Sequence, residues 1–222
     1  TLYCSGLDIY KTDNNGSTWY SMTANYPGLD LNNLPQPIPG YDYYTGSSSP
    51  GLIYNYVETN VERINIAVSE NNPNFLYAYI VAQELYIDDI ETKGVHVGFV
   101  YKFDGVNWTL IHEQRNYVDD NDDDSSNIDK FELIHPSRVA IAVSPHNADE
   151  VYIGTTVIYG TRDLNVNSFT LTAGYSQVNH HPDIHGLEFD PSNPDRLFSM
   201  HDGGVSVKNL NNNTNPPWTA LY

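Results

Sequence analysis

Apolar residues come in short runs separated by polar turns, and the runs recur in a fixed order. Ile66-Ala67-Val68-Ser69 leads through Asn72-Pro73 to Leu76-Tyr77-Ala78-Tyr79, then later to Val100-Tyr101-Lys102 and Trp108. Ile141-Ala142-Val143-Ser144 leads through Asn147 to Val151-Tyr152-Ile153-Gly154. Leu187-Glu188-Phe189-Asp190 leads through Asn193-Pro194 to Leu197-Phe198, Val205-Ser206-Val207-Lys208 and Trp218. Runs this short, rich in Val, Ile, Tyr and Thr, read as strands, and no window holds apolar residues at helical spacing for three turns. The expectation is an all-β chain with little helix.

A sheet of this size cannot bury both faces alone, so tandem recurrence argues for stacked sheets that share a continuous core. The pattern predicts a β-propeller of four-stranded antiparallel blades. Leu2-Tyr3-Cys4-Ser5-Gly6 matches the middle of the repeat and continues through Ile9-Tyr10-Lys11 to Trp19, so the first blade lacks its first strand. About three and a half blades result: a partial blade at 1–22, an insertion at 23–60, a blade at 61–113, an acidic insertion at 114–135, and blades at 136–178 and 179–222. Closed rings use about four to eight blades, so a longer parent chain or pairing with another chain is expected to complete the ring.

A chain of 222 residues can form one all-β domain of this kind. Its 10 Lys+Arg against 28 Asp+Glu give a formal net charge of −18, which repels nucleic-acid phosphates and anionic lipid headgroups. That charge suits salty or calcium-containing surroundings, so an extracellular or cell-surface location is expected. Cys4 is the sole cysteine and reads as a small buried hydrophobe. The chain shows no signal peptide and no membrane-spanning apolar run, so membrane insertion is not expected. Asn15, Asn107 and Asn212 head glycosylation sequons in predicted turns.

The insertions carry their own chemistry. Residues 23–60 are Pro-rich and hold Tyr41, Tyr43, Tyr44, Tyr54 and Tyr56. Such rings can pack on the C–H face of a sugar, with Tyr43 and Tyr44 as candidate ligand-binding residues, or can simply fasten the loop to the blades. A second insertion, near 82–98, extends one hairpin. Asp120, Asp122 and Asp124 alternate as oxygen ligands of a Ca²⁺ loop do, although no Gly or late Glu completes an EF-hand.

Thr12-Asp13-Asn14-Asn15-Gly16-Ser17-Thr18-Trp19 resembles the Asp-box, the Ser/Thr-x-Asp-x-Gly-x-Thr-Trp hairpin of bacterial-neuraminidase-repeat propellers, with Asn14 where that family has Asp. Asp104 to Trp108 looks like a shortened copy and Asn211 to Trp218 a lengthened one. The resemblance implies structural roles for Thr12, Asn14, Gly16, Thr18 and Trp19, with Trp19 packed between blades. It also implies kinship with secreted xyloglucanase-like and sortilin-like propellers. Sialidases are disfavoured, because none of the five arginines stands in that group's Arg-Ile-Pro context. The motif identifies architecture and not chemistry.

One constellation has the composition of a site. In an extended strand His181, Asp183 and His185 would project from one face, and His201-Asp202-Gly203-Gly204 would return to the same blade. Asp183 or Asp202 could act as acid or base in glycoside hydrolysis, and His181, His185 and His201 could bind a ligand or a divalent cation. Alternatively these groups satisfy local backbone. A hydrolase needs a second carboxylate across the channel, which the other repeats do not supply. The expectations are therefore a glycan- or protein-binding module, a xyloglucanase-like hydrolase, or a self-assembling extracellular scaffold whose unpaired strand edges meet neighbours.

Overall fold

The structure, a computed structural model, describes residues 1–36, 41–42, 47–48, 55–88, 91–115, 134–165, 169–174, 179–210 and 217–221. Its strands form a propeller of four antiparallel blades in chain order. Blade 1 comprises β1 (Leu2–Ser5), β2 (Ile9–Thr12) and β3 (Tyr20–Ser21). A short helix α1 (Met22–Asn25) and a two-residue hairpin, β4 (Tyr41–Asp42) with β5 (Ser47–Ser48), follow. Blade 2 is β6 (Asn55–Val68), β7 (Leu76–Asp88), β8 (Glu91–Phe103) and β9 (Trp108–Arg115). Blade 3 is β10 (Ala140–Val143), β11 (Val151–Gly154), β12 (Ile158–Thr161) and β13 (Thr170–Ala173). Blade 4 is β14 (Ile184–Asp190), β15 (Asn193–His201), β16 (Gly204–Asn209) and β17 (Thr219–Ala220).

The recurring Asn explains the first turn of blades 2, 3 and 4. Asn72, Asn147 and Asn193 each accept, through Oδ1, the backbone N–H two residues ahead, at 3.3, 3.1 and 3.2 Å. This Asx geometry reverses the chain between the first and second strands without help from the rest of the fold. The first strands are innermost: those of blades 2, 3 and 4 line one cavity of about 230 Å³, walled by Ile66–Val68, Ile141–Val143 and Leu187–Phe189.

Alternation along each strand sends its two side-chain sets to two different interblade cores. Leu76, Ala78, Phe99 and Tyr101 of blade 2 face Ile9 and Met22 of blade 1. Tyr77, Tyr79 and Val100 of the same strands face Ile141, Val151 and Phe169 of blade 3. Between blades 3 and 4, Tyr152 and Ile158 meet Leu187, Leu197 and Trp218. Lys102 also ties blade 2 to blade 3 through a 2.7 Å ion pair with Asp149.

Trp19 departs from expectation. Trp108 and Trp218 sit at the start of the outermost strand of their blades, 3% and 0% exposed, and each reaches back to the preceding blade. The Trp108 indole N–H donates to Met22 O at 3.3 Å, and that of Trp218 to Thr172 O at 3.5 Å. Trp19 holds the same place in blade 1 but is 43% exposed, because no described blade precedes it. Cys4 is exposed on the same side, not buried. Blade 2 also starts earlier than expected, since β6 already pairs with β7 from Asn55. The insertion near 82–98 does extend one hairpin, and β7 pairs with β8 along its whole length from Leu76 to Asp88.

The excursion after blade 1 runs back across blade 2, where Pro27 O accepts the Trp108 N–H at 2.8 Å. Such close approach requires glycine at position 28. Its φ is +99°, and a methyl group there would lie 2.0 Å from Trp108 O.

Candidate functional site

The turn resembling an Asp-box is built as its residue types require. Thr12 Oγ1 donates to Asn14 Oδ1 at 2.8 Å and accepts the Gly16 N–H at 3.1 Å. Asn14 Oδ1 also accepts the Thr18 N–H at 2.9 Å, and its amide donates to Thr18 Oγ1 at 2.8 Å. Gly16 turns at φ +86°. Asn14 therefore performs the acceptor role of an aspartate and adds a donor that aspartate lacks.

The polar groups of interest gather where the inner strands begin. Strand β14 starts at Ile184, and Asp183 before it takes a left-handed φ of +69°. Hence His181, Asp183 and His185 do not alternate along one extended face. Pro182 breaks the phase, and the Asp183 and Ile184 amides bond instead to Thr156 O at 3.0 Å and Thr155 O at 2.6 Å of blade 3. The three side chains separate accordingly. Asp183 pairs with Arg138 of the segment entering blade 3. His185 Nε2 meets Asp202 Oδ1 at 2.6 Å, both side chains about half exposed. His181 Nδ1 contacts its own Pro182 O at 2.8 Å.

These pairs join a longer belt. His96 of the extended hairpin pairs with Glu62 at 2.9 Å, and its ring lies 5.6 Å from that of His135. Arg63 donates to Pro136 O at 3.1 Å, and Arg138 N–H to His135 O at 3.0 Å. The belt thus passes from Glu62, Arg63 and His96 of blade 2, through His135 and Arg138, to Asp183, His185 and Asp202 of blade 4. The hydrogen bond from His185 holds the Asp202 carboxyl below its ordinary range, helped by the charges of His181 and Arg138.

Sequence reasoning missed Glu62, His96, His135 and Arg138. Arg138 carried a signal: it precedes the inner strand of blade 3 as Arg63 precedes the common part of that of blade 2. His96 carried none, because it stands inside a length insertion.

Beneath the belt lie two buried imidazoles. His201 Nε2 bonds Ser206 Oγ at 2.8 Å, and that hydroxyl donates to Asn179 O at 2.7 Å, so Nε2 carries the proton. His180 Nε2 lies 3.0 Å from Ser199 Oγ, and its ring packs 4.7 Å from His201 and 4.5 Å from Trp218. Burial, then the neighbouring His201, His181 and Lys208, pushes His180 down to about 3. Burial and the charge of His181 lower His201 as well. Both shifts favour the neutral imidazole.

Among the described residues no three His, Cys, Asp or Glu side chains stand close enough to hold a metal ion. Tyr43, Tyr44, Asp120, Asp122 and Asp124 lie outside the described residues. No family model and none of the curated proteins compared matches the chain.

Proposed function

We propose that this propeller is an extracellular or cell-surface module of the Asp-box type whose belt-bearing face binds a glycan. One observation carries the reading: across three blades, carboxylates alternate with guanidinium and imidazole groups in the order Glu62–His96, Arg138–Asp183, His185–Asp202. A surface with donors and acceptors interleaved at close range matches sugar hydroxyls, which both donate and accept. The Asn14-centred hairpin supports the Asp-box assignment.

The same pairing weighs against hydrolysis. A glycosidase needs one carboxyl kept protonated by a raised pKa, with a partner about 5 Å away or farther. Here Asp183 is paired with a guanidinium, and Asp202 is shifted in the direction opposite to that of a general acid.

Titration calorimetry with xyloglucan oligosaccharides and with a polyuronate, on wild type and Asp202→Asn, tests the proposal. Saturable binding weakened by the substitution supports it. Release of reducing ends from xyloglucan, lost in Asp202→Asn, would replace it with the hydrolase reading. Absence of binding to either glycan class would overturn it.

A further inference from the structure

Consecutive residues of β6, from Val57 to Val61, line a cavity of about 410 Å³. Side chains alternate along a strand, so a hollow lying over one face of a sheet would meet only every second residue. The backbone edge itself therefore faces this hollow. The opposite edge is taken by β7, with a bulge between Tyr56 and Glu58. Among the described strands none pairs with β6 on the side of the hollow. The stretch lies in the added height of blade 2, away from Ile66–Val68, which wall the axial cavity.

The hollow continues into a larger one of about 1100 Å³, for the two share Leu7, Leu31 and Asn32. The turn between β1 and β2 and the excursion from Ser21 to Pro35 wall the larger part. Charge in this groove is one-sided. Asp8 and Asp30 line the larger part and Glu58 the smaller, and no Lys, Arg or His stands among the described lining residues. Each carboxylate uses one oxygen locally: Asp8 Oδ1 accepts the Ile9 N–H at 2.7 Å and the Thr23 hydroxyl at 2.6 Å, Asp30 Oδ1 the Asn32 N–H at 3.0 Å, and Glu58 Oε1 the Asn60 amide at 3.0 Å. No described cation pairs with any of the three, whereas Glu62, Asp183 and Asp202 of the belt each have a basic partner. Apolar side chains stand beside them, with Leu7 67% and Val57 46% exposed.

We propose that this groove takes an extended, basic polypeptide segment, which adds a strand to the β6 edge along Val57–Val61 and sets its Lys or Arg side chains against Asp8, Asp30 and Glu58. In strand addition, main-chain hydrogen bonds supply affinity and the flanking hollows supply selectivity. The net charge of −18 draws such a segment in from a distance. Sugar stacking is not what the lining favours: Tyr101 is 4% exposed, and Tyr26 already packs against Phe103 with ring centroids 4.8 Å apart.

Fluorescence anisotropy with a short labelled peptide of alternating Lys and Val, and with its Glu and Val counterpart, tests this. The Lys peptide should bind saturably and the Glu peptide should not. Combining Asp8→Asn, Asp30→Asn and Glu58→Gln should weaken binding by about tenfold or more, with an unchanged circular dichroism spectrum. Glu70→Gln, an exposed carboxylate just past the other end of β6, removes the same kind of charge and should change binding by less than about twofold. Backbone N-methylation separates strand addition from electrostatic adhesion. Only alternate residues of an added strand point their N–H at the edge, so one alternate set of methyl groups should abolish binding and the other should leave it. The proposal is overturned by absence of saturable binding, by equal binding of the Glu peptide, by a triple variant that binds as wild type does, or by two methylated sets that act alike.

Discussion

Replacing each tryptophan in turn by alanine measures the interblade packing directly. Aromatic side chains bury about 150–250 Å², and at about 25 cal/mol per Å² a fully buried tryptophan stabilises by roughly 4–6 kcal/mol. Measured Trp→Ala losses in cores run about 3–5 kcal/mol. Trp108→Ala and Trp218→Ala fall in this class, since both rings are buried and each truncation also removes a donor from Met22 O or Thr172 O. Trp19 keeps close to half of its surface in water, so Trp19→Ala should cost only about 2–3 kcal/mol. Urea unfolding followed by circular dichroism gives the three values. The reasoning fails if Trp19→Ala costs as much as the other two, or if all three lie below about 1 kcal/mol.

Gly28→Ala should lower stability by about 2–3 kcal/mol or more, because it combines a φ of +99° with a contact of 2.0 Å to Trp108 O, and a thermal melt matching wild type would show that the crossing is loose. Glu84 is fully buried and pairs with Arg115, which also pairs with Glu113. Glu84→Gln should cost about 3–5 kcal/mol, whereas Glu84→Leu combined with Arg115→Met should recover most of that loss, both read from urea midpoints. His180 is held near 3 and His112 near 4 by burial, so both are neutral when folded and take up protons on unfolding below about 6.5. Their contribution is fully present above that pH and is lost as pH falls, by up to about 1.4 kcal/mol per pH unit for each imidazole. Melting temperature should therefore drop between pH 7 and 5, and His180→Gln should flatten the slope.

The repeat was legible because its cause is local. An Asn at the first turn of blades 2, 3 and 4 and alternation along each strand produce the blades before any long-range contact is considered. What depends on neighbours was not legible. Trp19 and Trp108 occupy equivalent places, and only the presence of an adjoining blade decides which is buried. His181, Asp183 and His185 look like an alternating trio, but Pro182 and the left-handed Asp183 send them to three different partners. Arg138 lies 45 positions from the Asp183 it neutralises, and spacing along one chain cannot reveal such a match.

Blade 2 is built to a different height from its neighbours. Its second strand has 13 residues against four in blade 3, and the additional nine rise about 30 Å from the end where Glu62 and His96 stand. Among the described residues the face is consequently lopsided, with a parapet on one side and the half-exposed His185 and Asp202 on the other. A long molecule settling there has to lie alongside that parapet instead of standing upright on the axis. Shortening the hairpin should thus widen the range of orientations admitted before it alters any contact in the floor.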